Sequence, residues 1–126
     1  MLGTAARVGA ILGLTWDRVD FERRAINLRL PDAQTKKGGA VIAMNGMTRP
    51  ALQTARHTAL SDHVVEYASG PVKNIRKGFK STCERAGLRE VTTQTLRHTA
   101  AVHMVSAGIS IEKVSQYLGH SNTRIT

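Results

Sequence analysis

Arg97 stands in the stretch TLRHTAAVHMVSAG, which is followed by a second short apolar stretch and then Leu118-Gly119-His120. A guanidinium offers paired donors in a planar fork, and an imidazole can donate to an oxyanion, so this segment resembles one half of a phosphate-handling site. Upstream, Lys36 and Lys37 open a Lys-Lys-Gly-Gly turn, and Arg7 lies in an apolar stretch near the start. In residues 72–86, at about 100° per residue, Lys73, Arg76, Lys77 and Lys80 fall on one side of a helix. Ile75, Phe79, Thr82, Cys83 and Ala86 fall on another. The first set, with no acid interposed on its face, forms a basic ridge suited to a phosphate backbone. Each feature alone has an ordinary explanation. Arg7 can pair with Asp20 or Glu90, a Lys-Lys-Gly-Gly turn is a hairpin, Arg97 and His120 can cap and pack helices, and a charge run is a solvated face. His98, beside Arg97 on a packed helix, is assigned to structure, bonding a backbone or side-chain acceptor. His103 is a core or surface residue, because a spacing of five does not place it with His98 on one face for a metal. His57 and His63 carry no signal above background.

Composition narrows the partner. The chain of 126 residues is 41% hydrophobic, which suits one compact domain. Eighteen Lys and Arg against nine Asp and Glu give a net charge of +9. That excess favours a polyanion, of which nucleic acid is the commonest. The single Cys83 cannot form an internal disulfide, and no Cys/His set has zinc spacing. A reducing cytosol is the default compartment. No apolar run reaches the roughly 20 residues of a membrane span, and Met1-Leu2-Gly3-Thr4 lacks a signal-peptide layout, so a soluble protein is expected.

The elements that must position these residues can be read from periodicity. Val8, Ile11, Leu12 and Leu14 predict a helix over 4–14, ending near Gly13, with Trp16 packing just beyond it. AINLRL, residues 25–30, alternates as a half-buried strand, and a basic turn with two glycines leads into a second strand at 40–44. Thr48 is placed to cap a helix through about residue 59, with Pro50 tolerated in its first turn. DHVVEYA, residues 62–68, is a candidate third strand. Helices follow over 72–86, 96–107 and 111–118, with Gly87, Gly108 and Gly119 as C-terminal caps. The sum is a mainly helical domain with a small sheet near its front.

LRHTAAVHMVSAGISIEKVSQYLGHSNTRIT resembles the C-terminal part of the catalytic domain of tyrosine recombinases, the phage-integrase family. GTAARVGAILGLTWDRVDF, residues 3–21, is similar to that family's arginine-bearing helix with its leucines and following Trp-x-x-Val-Asp. Lys36 falls at the family's strand-turn lysine. The resemblance covers essentially the whole chain. It implies an α+β fold, mainly helical, with a small antiparallel three-stranded sheet packed beside a helical bundle. It also implies DNA cleavage and rejoining through a 3′-phosphotyrosyl link. Arg7 and Arg97 would clamp the charge that builds on the nonbridging oxygens. Lys36, with Lys37 as the alternative, would protonate the leaving 5′-oxygen, and His120 would donate to the phosphate or steady the nucleophile's surroundings. Bond energy is conserved in the covalent intermediate, so neither metal nor other cofactor is implied. The partners would be double-stranded DNA and further recombinase protomers, in a bacterial or phage-derived cytoplasmic setting, with no membrane.

Three departures qualify the resemblance. Where the family has a histidine or lysine three residues before Arg97, this chain has Gln94, which can donate a hydrogen bond but cannot exchange a proton at neutral pH. Slower cleavage is expected. The family's Thr-Gly-x-Arg stands here as Thr4-Ala5-Ala6-Arg7, and its glutamate three residues on is Ala10, so Arg7 is expected to be held less firmly. The nucleophilic tyrosine of the family would fall a few positions beyond Thr126, and neither Tyr67 nor Tyr117 fits its place. Residues 1–126 are therefore expected to be a single truncated catalytic domain, without an N-terminal DNA-encircling module or a nucleophile, inactive in cleavage alone and exposing an apolar groove that promotes self-association. A different class of reading is a non-catalytic helix-turn-helix module built from AAVHMVSAGISIEKVSQYLG, which explains the charge but leaves Arg7 and the Lys36 turn without a role. An RNA-binding module lacks an aromatic stacking platform.

Overall fold

The computed structural model describes residues 1–29 and 41–118. Lys36, Lys37, Gly119 and His120 lie outside the described residues, as do Leu30 and Ala40. The elements in chain order are α1 (Val8–Leu12), a 3-10 turn (Trp16–Arg18), β1 (Val19–Asp20), β2 (Ala25–Asn27), β3 (Val41–Ala43) and α2 (Thr48–His57). They continue with β4 (Glu66–Tyr67), β5 (Gly70–Pro71), α3 (Arg76–Arg85), α4 (Thr93–Ser106) and α5 (Ile111–Tyr117).

The sheet has the order β1-β2-β3, antiparallel throughout, with Ile26 opposite both Val19 and Ile42. Those three side chains are buried together, as the alternation of the two longer strands requires. Its third strand is not the expected 62–68 segment. Trp16 N–H donates to the Asp62 carbonyl at 2.9 Å and Val64 N–H to the Leu14 carbonyl at 3.0 Å, so residues 62–64 cross the α1–β1 connection instead of joining the sheet. Glu66 and Tyr67 then turn back on Pro71 and Gly70 as a separate hairpin. Ala68 (φ 51°) and Ser69 (φ 63°) supply the two left-handed residues that such a two-residue reversal needs.

Local chemistry sets the helix limits. α1 is shorter than the predicted 4–14, because Ala5 is left-handed (φ 52°) and Arg7 extended (φ −69°, ψ 146°), and neither conformation continues a helix. The expected cap at Thr48 is made instead by Asn45, whose Oδ1 accepts from the backbone N–H of Met47 (3.1 Å) and Thr48 (2.8 Å). α3 begins later than expected: Asn74 Oδ1 accepts from Arg76 N–H at 2.8 Å, and Lys73 precedes the helix. α4 begins earlier, at Thr93, through a reciprocal capping box between Thr92 and Thr95. Both expected glycine stops among the described residues are Schellman ends. Gly87 and Gly108 are left-handed, and Leu88 and Ile109 N–H donate to the carbonyls of Cys83 (2.9 Å) and Met104 (3.1 Å).

Two apolar clusters make up the core. The first joins Ala6, Ala10, Leu14, Val19, Ile26, Leu28, Ile42, Met44 and Leu52. The second joins Ala5, Ala100, Ala101, Val114 and Leu118. Tyr117 packs against both.

Candidate functional site

α4 carries Gln94 and Arg97 three residues apart, which places their side chains on one face about 5–6 Å apart at Cβ. Gln94 is exposed and Arg97 half-buried. One turn further on, Ala100 and Ala101 are buried. Their small side chains let α5 approach closely, with Val114 0% and Leu118 6% exposed against them. Arg97 Nη2 donates to the Leu118 carbonyl at 2.5 Å. That bond ties the helix bearing the first guanidinium to the C-terminal end of α5, the residue that precedes Gly119-His120. It satisfies a carbonyl that the end of α5 leaves open.

Ala5 is inserted into the same cluster at 1% exposure, while Ala6 belongs to the sheet-side cluster. Successive residues therefore plug the two halves of the core. Arg7 follows at the N-cap of α1, where its carbonyl accepts from Ala10 (3.1 Å) and Ile11 (3.2 Å) and its side chain is exposed. The pKa of Arg97 is lowered, first by burial and second by the positive charge of Arg7. Two residues at opposite ends of the sequence thus sit within electrostatic reach of one another. Two like charges this close raise the local positive potential, which favours an anion there.

The ordinary explanation of Arg7 does not hold. Asp20 pairs with Arg23, through its backbone N–H at 2.9 Å and its guanidinium at 3.9 Å, and the described residues show no ion pair between Arg7 and Glu90. Ala10, where a glutamate was expected by resemblance, is buried in the sheet-side cluster and packs there as a small apolar residue.

Lys73, Arg76, Lys77 and Lys80 are all exposed, and only Cys83 of α3 is buried. The ridge is not wholly free of acid: Glu84, one turn beyond Lys80, approaches its Nζ at 4.0 Å. That pair is exposed at both ends and contributes little. His98 is exposed, and no described residue accepts a hydrogen bond from it, so the structural role expected of it is not seen. Lys36, Lys37 and His120 fall outside the described residues. Tyr117 is half-buried, and burial raises its pKa, whereas Tyr67 is 83% exposed on the β4–β5 hairpin.

The helix-turn-helix alternative loses its reading helix. α5 has seven residues, and Val114 and Ser115, at its middle, are buried, Val114 against Ala100 and Ala101 of α4. Sequence reasoning missed two positioning features. Arg18 donates to the carbonyls of Arg29 (2.7 Å) and Gly13 and to Thr15 Oγ1, fastening the α1–β1 turn. Asn45 was missed as well, although Asn-x-x-Thr before a helix is a recognisable local signal.

A sequence model of the phage integrase family matches residues 1–126. Among curated relatives, a tyrosine recombinase XerC from Roseiflexus castenholzii is 28% identical over 139 residues, covering 100% of this chain and 43% of that protein. A tyrosine recombinase XerD from Corynebacterium glutamicum is 29% identical over 136 residues, covering 100% of this chain and 44% of that protein. The chain spans less than half the length of these relatives. Among solved structures, the Tn1549 transposon integrase superposes with a TM-score of 0.85 at 20% identity, covering 98% of this chain and 49% of that one. A XerA recombinase superposes with a TM-score of 0.83 at 23% identity, covering 98% and 48%. The shared fold is the α+β catalytic-domain architecture, with its small antiparallel sheet beside helices. No described helix is long and apolar enough to cross a membrane. With its whole length matched by that model, the chain belongs to the phage integrase family.

Proposed function

We propose that residues 1–126 form a single domain that grips the scissile phosphate of double-stranded DNA in site-specific recombination by a tyrosine recombinase. The observation that carries this reading is that Ala5, two residues before Arg7, is buried in the α4–α5 cluster beside which Arg97 bonds the Leu118 carbonyl. In the reaction, a tyrosine hydroxyl attacks phosphorus and gives up its proton, an O–P bond to the tyrosine forms, the P–O5′ bond breaks, and the 5′-oxygen takes up a proton. The two guanidinium groups stabilise the charge on the nonbridging oxygens. Gln94, on the face of Arg97, adds an amide donor, Lys36 or Lys37 supplies the proton, and His120 donates to the phosphate. Lys73, Arg76, Lys77 and Lys80 hold the flanking backbone. Tyr117 packs into both core clusters and Tyr67 stands exposed on the β4–β5 hairpin, so neither is assigned as nucleophile. Support for the substrate comes from the Tn1549 integrase, which was solved in complex with a circular intermediate DNA. Support for assembly comes from a lambda integrase solved as a tetramer bound to a Holliday junction. The site of action we infer is the cytoplasm of a bacterium or of a phage-bearing host.

Fluorescence anisotropy with labelled duplex DNA tests this. Binding should weaken linearly in log–log form as salt rises, by about 0.9 per phosphate contacted. Replacing Arg97 with alanine should weaken it about tenfold, the cost of a charge-assisted bond pair. Affinity indifferent to salt, or unchanged in Arg97→Ala, would overturn the reading.

A further inference from the structure

We infer that Asn45 is a positioning residue for Arg7, acting as a latch between the strand that leaves the lysine turn and the loop that carries the arginine. This rests on the phosphate-gripping role proposed above for Arg7. Residues 1–7 form no regular element, so something other than a backbone ladder must fix them. Asn45 Nδ2 donates to the Gly3 carbonyl at 2.7 Å, and Asn45 Oδ1 at the same time accepts from the Met47 and Thr48 N–H groups and from Thr48 Oγ1 (2.8 Å). One planar amide thereby uses its acceptor to start α2 and its donor to hold the arginine loop.

The approach is tight. A Cβ on Gly3 would lie 2.7 Å from Thr48 Oγ1, so the loop reaches Asn45 only because residue 3 is glycine. Three residues separate Gly3 from Arg7, Thr4 and the two alanines plugged into the two clusters. A shift at Gly3 is therefore passed along a short, constrained segment to the guanidinium. Asn45 stands two residues after β3, the strand entered from the segment that contains Lys36. The latch thus joins the two stretches of chain that carry the proposed proton donor and the proposed phosphate clamp.

A double-mutant cycle in the duplex-DNA anisotropy assay tests it, with circular dichroism melts to verify folding. Asn45→Ser keeps a short acceptor for the start of α2 but cannot span to Gly3, and Asn45→Asp keeps the cap acceptor while removing the donor. Each should weaken binding about fivefold in the parent chain, the factor for one net hydrogen bond. In an Arg7→Ala background the same changes should have no further effect, whereas in a Lys77→Ala background the fivefold loss should persist. An equal loss in all three backgrounds would show Asn45 acting on the fold or directly on DNA, and would overturn the latch while leaving the clamp intact. No loss in Arg7→Ala itself would overturn the clamp and the latch together. A fully restored affinity in Asn45→Asp would also overturn the latch, because that variant has no donor for Gly3.

Discussion

Ala5 shows how a single position can hold opposing demands. It is left-handed, a conformation that costs a residue with a Cβ about 1–2 kcal/mol, yet it is buried against Ala100 and Ala101. Glycine would relieve that strain, but would lose a buried methyl worth about 0.8 kcal/mol and add about 0.5–1 kcal/mol of unfolded-state entropy. Ala5→Gly should therefore change stability by less than about 1 kcal/mol in urea denaturation. Ala5→Val should cost about 3 kcal/mol or more, because branching at Cβ is incompatible with this backbone and overfills the contact with α4. The same position fixes where the Arg7 loop lies: the turn at Ala5 sends the chain from the helical cluster to the sheet-side cluster within two residues.

Among the elements, the β4–β5 hairpin is the least favourable in its local sequence. Ala68 and Ser69 occupy two left-handed positions for which Asn-Gly is the preferred pair. Combining Ala68→Asn with Ser69→Gly should stabilise the protein by about 1 kcal/mol, read as a higher thermal midpoint. Glu66, at the start of this hairpin, accepts from the Leu60 N–H at 2.8 Å, and a side-chain bond from Ser61 followed by this backbone bond holds its carboxyl below the usual range. A carboxyl whose pKa is depressed on folding contributes stability above its unfolded value, about 4.3, and loses it as pH falls through the folded value. Glu66→Gln should accordingly flatten the acid limb of a urea-midpoint-versus-pH curve below about pH 4.3. A limb of unchanged slope would show that the bonds to the 60–61 loop do not persist in solution.

Across the whole molecule, Tyr117 connects the cluster behind Arg97 with the cluster behind Arg7. No described group hydrogen-bonds its hydroxyl, so its contribution is packing. Tyr117→Ala should cost about 3–5 kcal/mol and Tyr117→Phe less than about 1 kcal/mol, measured by chemical denaturation. Tyr117→Phe should also leave DNA affinity unchanged, which separates a joint between clusters from a chemical role. The DNA contact proposed for the basic ridge is tested at this scale too. Lys77→Ala should reduce the salt slope of DNA binding by about 1 and weaken binding to all sequences alike, as a backbone contact does.

Elements whose signals are local were legible in the residues alone. The strands near 25–27 and 41–43, the helices, and the glycine stops at Gly87 and Gly108 all follow from periodicity and from residue types that few other conformations suit. So was the ordered set of Arg7, Lys36 and Arg97, because residue identity and order do not depend on folding. Which strand closed the sheet was settled by long-range packing. Val19–Asp20 and residues 62–68 both carry apolar residues, and the choice depended on Leu14 and Trp16 bonding to the Asp62–Val64 crossing. The placing of the Arg7 loop beside the helix of Arg97 was likewise settled in three dimensions, since it depends on Ala5 packing among residues of two helices close to the other end of the chain. Distances between residues far apart in sequence are set by packing, and packing is a property of the whole set of side chains rather than of any segment.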